Sequence, residues 1–197
     1  GDYVPRRDKK LNWSKAVNGS TSATEWKGLH TLNEIVHVYN PSTGWIQNCN
    51  STPFTVSGTS SPKKENYPSY MAPDGENFRG VNAARVLNNE NKFTIDKTIA
   101  AGYDRKLSAF EILVPALVSS FEKNILVMDS VPTALTEAIH LLKKWDYYSA
   151  ENSVATTLAI EWAQKLTAKI QRIYIDEGWD DQVTLVKKFA ATATYEE

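Results

Sequence analysis

The spacing of apolar residues changes character near residue 79. Before it, apolar and polar residues alternate over short stretches, most clearly in residues 33–39 (NEIVHVY), and a period of two is typical of a half-buried strand. After it, apolar residues recur three and four positions apart, which is the period of an amphipathic helix. The pattern predicts an α+β fold, with a β-containing first third followed by an all-helical region.

Capping residues and apolar spacing predict six helices in the second part. Thr94 is placed to cap one of them, and Ser108 to cap the next, with Glu111 at the capping-box position. Pro115 lies inside that helix and predicts a kink or an early break. The predicted ranges are approximately 79–89, 94–102, 108–121, 133–145, 152–178 and 181–193.

The helix predicted at 133–145 carries Leu135, Ile139 and Leu142 on one stripe, so these three side chains are expected to face the core. Gly178 is expected to end the long helix that follows, and residues 194–197 are expected to fray. We therefore predict two parts, strands and loops in residues 1–78 and a helical region in residues 79–197.

The composition and net charge of the chain give no support to several classes of function. The chain has 197 residues with a net charge of −1, which gives no indication of nucleic-acid or anionic-membrane binding. It contains no apolar run long enough to span a membrane and no recognisable signal peptide. A single cysteine excludes an internal disulfide.

We interpret several chemically reactive side chains as structural rather than as catalytic or ligand-binding. Cys49 has no histidine near it in sequence, so we interpret it as a small buried apolar residue rather than a nucleophile. His30 and His37 lack neighbours at metal-ligand spacing and are interpreted as structural. The charged run at residues 6–10 (RRDKK) is interpreted as a solvated face rather than a basic binding site.

The most informative polar stretch is residues 40–54. Two carboxamides, Asn48 and Asn50, lie two residues apart, and on an extended strand they would share one face. Pro53 restricts Thr52 to extended geometry. A carboxamide NH2 group can donate to a developing oxyanion without any particular protonation state. Asparagines beside Gly and Pro are also common turn formers, so the pattern alone leaves both interpretations open.

Several motifs resemble the penicillin amidase family of N-terminal-nucleophile hydrolases, and they occur in that family's order. Residues 44–50 (GWIQNCN) with Pro53 resemble its G-(Y/W)-x-x-N-x-N-x-x-P segment. The other motifs are YVPRRD at 3–8, the GS…EWKGLH run at 19–30, YPSYMAPD at 67–74, and the L-x-x-WD…TL-x-x-x-W pattern within 133–163.

The resemblance implies an internal fragment of the catalytic β subunit, taken from an αββα sandwich with residues 1–78 in its core. The parent would hydrolyse an amide bond through an acyl-enzyme on an N-terminal serine outside this chain, and the isolated chain would be inactive. The family's oxyanion-hole amide carries over onto Asn50, with Asn48 as the second candidate. A family arginine near the active centre carries over onto Arg85, in Ala84-Arg85-Val86; the alternative for Arg85 is an ion-pair arginine on an amphipathic helix.

The resemblance also bears on cofactors, partners and location. No cofactor is expected; some relatives carry structural calcium, but the pattern around Asp74 and Glu76 does not match that site. Expected partners are the remainder of the precursor (the α chain and the rest of the β chain) and a small acyl-amide substrate, with no nucleic acid and no membrane. A dimer through an exposed sheet edge is also expected. The family is typically periplasmic or secreted. Two alternatives stay open: a non-catalytic helical interaction domain, and an acylase relative that lacks the nucleophile.

Overall fold

The computed structural model describes residues 4–127, 129–174 and 181–192. Six α-helices lie within these ranges, all of them after residue 77. They are α1 (Phe78–Asn88), α2 (Ile95–Gly102), α3 (Phe110–Asn124), α4 (Thr133–Lys143), α5 (Val154–Tyr174) and α6 (Gln182–Thr192).

The predicted β-containing first third is wrong. Residues 4–77 form irregular chain with short 3-10 turns, and the β pairing in the described part of the protein consists of two isolated antiparallel bridges, Pro5–Leu29 and Lys106–Tyr148. No sheet forms among these residues, so the α+β class and the αββα layers are not present in them. The sheet edge on which the expected dimer depends is likewise absent from the described ranges.

The residues at the Pro5–Leu29 bridge explain why no longer β pairing forms there. The backbones of residues 4–6 and 27–30 pair through three hydrogen bonds of 2.8–2.9 Å, donated by Arg6, Lys27 and His30. Pro5 has no N–H to donate. Gly28 has a φ of +88°, so the backbone at Gly28 is not extended. Pairing therefore stops after a single bridge.

Residues 33–39 also do not form the predicted strand. A capping box closes a 3-10 turn at Leu32–Glu34, in which the Thr31 N–H donates to the Glu34 carboxylate at 2.8 Å. Beyond the turn, Tyr39 is 91% exposed. An alternating sequence becomes a strand only when a neighbouring strand accepts its hydrogen bonds, and none of the described segments forms β pairing with this one.

The helical predictions are largely confirmed. The helix expected from residue 79 begins at Phe78, and those expected at 94–102 and 181–193 are α2 and α6. Thr94 caps α2 by accepting the Lys97 N–H at 3.3 Å. Ser153 likewise accepts the Thr156 N–H at 3.2 Å at the start of α5. Amphipathic spacing and capping are local signals, so they can be recognised without knowledge of the fold.

Three details of the helical predictions are wrong. Ser108 does not cap α3; its hydroxyl donates to Asn82 Oδ1 at 3.2 Å instead. Of the two outcomes predicted at Pro115, the early break is wrong, because α3 continues to Asn124; the kink stays a prediction. Leu135 is 39% exposed, whereas Ile139 and Leu142 are buried as predicted.

The core lies around α3. One buried cluster joins α3 to α4 and α5 and includes Val114, Leu142 and Ala159, which is fully buried. Leu113, Leu166 and Phe189 form a second cluster among α3, α5 and α6. A few contacts tie the irregular first part to this core, among them the Gln182 N–H, which donates to the Glu76 carbonyl at 3.0 Å. The N-terminus of α6 is thereby held against the loop that leads into α1.

Some predictions cannot be compared with the fold. Gly178, residues 194–197 and Tyr3 lie outside the described residues. The division at 78/79 stays a prediction, although α1 begins at that point.

Candidate functional site

Asn48 and Asn50 form a turn, not a strand. The Asn50 N–H donates to Asn48 Oδ1 at 3.0 Å, and Asn50 has a φ of +51°. Asparagine tolerates this left-handed conformation better than most residues. The prediction that both side chains share one strand face is therefore wrong: the Asn48 oxygen closes the turn, while the exposed Asn50 side chain lies at its end.

Asn77 fastens the turn to the start of α1. Its Nδ2 donates to the carbonyls of Cys49 and Asn50 at 3.0 and 3.1 Å. Its Oδ1 accepts the Gly80 N–H at 3.0 Å, which makes Asn77 the N-cap of α1. One carboxamide thus satisfies both the turn and a free N–H of the helix.

Arg79 contacts the Asn50 side chain directly. Its guanidinium donates to Asn50 Oδ1 at 3.4 Å, across 29 residues of sequence. The bond is long and therefore weak, but a guanidinium has only donors, so the atom that faces it is the amide oxygen. Nδ2 consequently points the other way, and no hydrogen bond from it to any described residue is formed.

Arg79 was not predicted from the sequence. The available signal was indirect: Arg79 is the second residue of a helix whose cap, Asn77, is also a carboxamide. Only the contact across 29 residues identifies it.

Gly80 allows α1 to approach the turn closely. A Cβ atom on Gly80 would lie 2.8 Å from the Ser51 hydroxyl and 3.2 Å from Ser51 Cβ. No side chain larger than hydrogen fits without displacing Ser51, the residue that follows Asn50.

We expect Gly80→Ala to destabilise the protein. Alanine favours a helix over glycine by up to about 1 kcal/mol, but the clash with Ser51 should cost about 1–3 kcal/mol. Gly102→Ala in α2 is the matched control, because a Cβ there would have no neighbour within 4 Å; it should leave stability unchanged or raise it. Urea denaturation compares the two variants, and a Gly80→Ala protein as stable as Gly102→Ala would show that the close approach is unimportant.

Arg85 lies in a separate polar network. Its guanidinium donates to Asp104 Oδ1 at 2.7 Å and, through Nε, to Asn82 Oδ1 at 3.0 Å. Asn82 Nδ2 also donates to Asp104, at 2.9 Å. Burial alone would raise the pKa of Asp104, but the hydrogen bonds from Asn82 and Arg85 outweigh it and hold that pKa below its ordinary value. Arg85 forms no hydrogen bond with Asn50, and its observed contacts match the ion-pair alternative.

A largely apolar groove begins beside the turn. It has a volume of about 700 Å³, and Cys49 and Arg79 line it together with parts of α1, α2 and the start of α3. Its apolar walls include Phe78, Val86, Leu87, Leu107 and Phe110. Cys49 is half-buried rather than buried and has a free thiol. The groove is thus next to the residue whose Nδ2 is free to donate.

Within the described ranges, no group of three or more His, Cys, Asp or Glu residues is arranged to hold a metal ion. No helix in those ranges has the length and apolarity needed to cross a bilayer.

Comparison with known protein families agrees with the motifs. The family model for penicillin amidase matches residues 1–195, which is nearly the whole chain. That family is one of acylases, hydrolases that cleave amide bonds. This match, in agreement with the order of the motifs, shows that the chain belongs to the penicillin amidase family.

Proposed function

We propose that this chain is part of an acylase that releases an acyl group from an amine, and that Asn50 donates Nδ2 to the oxyanion hole. The nucleophile in this proposal is an N-terminal serine outside the 197 residues, freed by self-cleavage of a precursor. The observation that carries the proposal is the orientation of the Asn50 amide, with its oxygen towards Arg79 and its NH2 group unused among the described residues.

The proposed chemistry follows from these groups. The serine Oγ forms a bond to the amide carbon, its proton passes to the serine's own α-amino group, and the carbonyl electron pair moves onto oxygen. Asn50 Nδ2 stabilises that negative oxygen. Collapse of the intermediate expels the amine, which takes the proton, and water then releases the acid by the same steps. This reaction needs no cofactor.

The turn supplies the preorganisation that such a donor requires. A donor stabilises an oxyanion most when it is already in place, because no reorganisation is then needed during the reaction. The Asn48 side chain, the Asn77 side chain and the Arg79 guanidinium each hold a different part of Asn50. We assign Asn48 to shaping the turn rather than to donation, since its oxygen is already bonded to the Asn50 N–H.

The role of Arg85 stays a prediction. Its bonds to Asn82 and Asp104 favour a structural contribution beside the apolar groove. The groove itself is proposed as part of the wall that contacts substrate, since it starts at Cys49 and Arg79. Periplasmic or secreted location in a bacterium belongs to the same proposal.

Exposed apolar side chains favour contact with another polypeptide surface. Trp26, Leu32 and Tyr39 in the irregular first part are 67%, 75% and 91% exposed, and Ile95 in α2 is 81% exposed. Exposed apolar surface of this kind is available for burial against another polypeptide. We propose that the remainder of the precursor covers Tyr39 and Ile95. The same observation supports the alternative of a non-catalytic interaction domain.

The deciding experiment uses the full-length open reading frame. Intact mass and N-terminal sequencing of the purified protein should give two chains, the larger starting with serine and containing this sequence. A panel of acyl amides should then be hydrolysed. A single uncleaved chain without amidase activity would overturn the acylase proposal and leave the interaction domain as the better hypothesis.

A further inference from the structure

A second groove lies far from the N-x-N turn in sequence and is strongly basic. It has a volume of about 530 Å³ and forms where residues 6–9 and 27–34 meet the loop at residues 66–70. Four of its side chains are cationic (Arg6, Arg7, Lys9 and Lys27), and one, Glu34, is anionic. Tyr67, Pro68 and Tyr70 form the part of its wall that the loop contributes.

A buried histidine with an unused nitrogen lines this basic groove. The His30 side chain is 6% exposed, and its Nε2 is hydrogen-bonded to the Tyr70 hydroxyl at 2.8 Å. Its Nδ1 is buried and has no hydrogen-bond partner; the nearest acidic oxygen, Glu34 Oε2, is 3.8 Å away. Nδ1 has less than 1 Å² of accessible surface, so it does not contact a ligand in the groove; His30 contributes by holding the Tyr70 ring in place.

The positive charge of the groove is only partly compensated. Arg6 is already paired within the protein. Its guanidinium is hydrogen-bonded to Glu34, and its Nε donates to the Leu29 carbonyl at 3.0 Å. The hydrogen bond from Arg6 is the main reason that the pKa of Glu34 falls to about 2, so Glu34 is ionised at neutral pH.

The other three cationic side chains are held less firmly by neighbouring groups. Arg7 lies over the Trp13 ring at 4.8 Å. Lys27 reaches Asp8 at 3.5 Å, with 58% of its own side chain exposed. Lys9 forms no ion pair with the described residues. An exposed pair at this distance is nearly free to exchange partners, so Lys9 and Lys27 remain available to a bound anion.

We propose that the basic groove binds a small organic phosphate monoester with an aromatic body. The four cations exceed the two nearby carboxylates, Glu34 and Asp8, by two charges, which matches a dianion, and lysines act as point-charge partners for phosphate. The bond between His30 Nε2 and the Tyr70 hydroxyl fixes one ring of the wall. The tyrosine and proline wall offers a flat apolar surface on which a ring can pack. This site is independent of the acylase proposal.

The test is isothermal titration calorimetry of the full-length protein with phenyl phosphate. Saturable binding is expected within about 10 mM ligand, weaker at high ionic strength because exposed charges are screened. Lys9→Gln combined with Lys27→Gln should raise the Kd at least about fivefold, since two of the available cations are lost. The matched control is Lys165→Gln combined with Lys169→Gln, which removes the same charge from exposed positions on α5 and should leave the Kd unchanged.

Two further ligands separate the contribution of the charge from that of the ring. Phenol tests the ring without charge, and inorganic phosphate tests the charge without a ring; each should bind more weakly than phenyl phosphate. Equal binding of phenol would contradict an anion site, and equal binding of inorganic phosphate would contradict the role of the aromatic wall. An absence of saturable binding, or equal weakening by both double variants, would overturn the proposal. None of these results depends on amidase activity.

Discussion

Replacing Asn50 by alanine in the full-length enzyme is expected to lower kcat by about 10²–10³-fold, equivalent to about 3–4 kcal/mol of transition-state stabilisation. The donor bonds the oxygen only as it becomes an oxyanion, so KM should change little. The measurement is kcat and KM for the best amide of the substrate panel, with circular dichroism to show that the variant is folded.

Asn50→Asp makes this prediction specific to the donor. Aspartate has nearly the same shape, and an oxygen remains to accept the hydrogen bond from Arg79, which is 3.4 Å long in the native protein. What is lost is the NH2 group, replaced by a charged acceptor that repels an oxyanion. The kcat of Asn50→Asp should therefore fall at least as far as that of Asn50→Ala. A variant that keeps native kcat would remove Asn50 from the oxyanion hole.

Two arginine variants test the geometry around Asn50. Arg79→Leu removes the group that orients the Asn50 amide, so kcat should fall, although less than in Asn50→Ala, because the donor itself remains. Arg85→Leu breaks the bonds to Asn82 and Asp104 and should reduce thermal stability with a smaller effect on kcat. The opposite order would favour the assignment of Arg85 to the active centre.

The helices could be predicted from sequence because their signals are local. The α2 cap, Thr94, and the residue it caps are three positions apart, and apolar spacing fixes which face is buried. Helix starts were less predictable where a capping residue had a stronger tertiary partner. Ser108 illustrates this, since its hydroxyl is bonded to Asn82, 26 residues away.

The first third was not predictable because strands depend on distant partners. Residues 33–39 alternate as a strand would, yet the Thr31–Glu34 capping box turns the chain at its start. The N-x-N segment shows the same limitation. Its spacing suggested one strand face, but the bond from the Asn50 N–H to Asn48 Oδ1 closes a turn in which Asn50 has a positive φ. Family resemblance singled out Asn50, whereas Arg79 was found only from the tertiary contact.

Leu142→Ala is expected to cause a large loss of stability. Leu142 is 3% exposed, in the cluster that joins α3, α4 and α5, and truncating a buried leucine costs about 2–5 kcal/mol through lost burial and the cavity left behind. In a protein of this size, each kcal/mol lowers Tm by about 2–4 °C. The comparison is a thermal melt of the two purified variants Leu142→Ala and Leu141→Ala.

Leu141→Ala is the control that the helix itself provides. Leu141 is the preceding residue of α4. It is also a leucine but is 37% exposed, so its truncation removes less buried surface and leaves no closed cavity. Alanine is also at least as good a helix former as leucine. The expected cost is below about 1 kcal/mol. Equal shifts in Tm would mean that the stripe containing Ile139 and Leu142 does not face the core, and the packing of α4 against α3 would have to be revised.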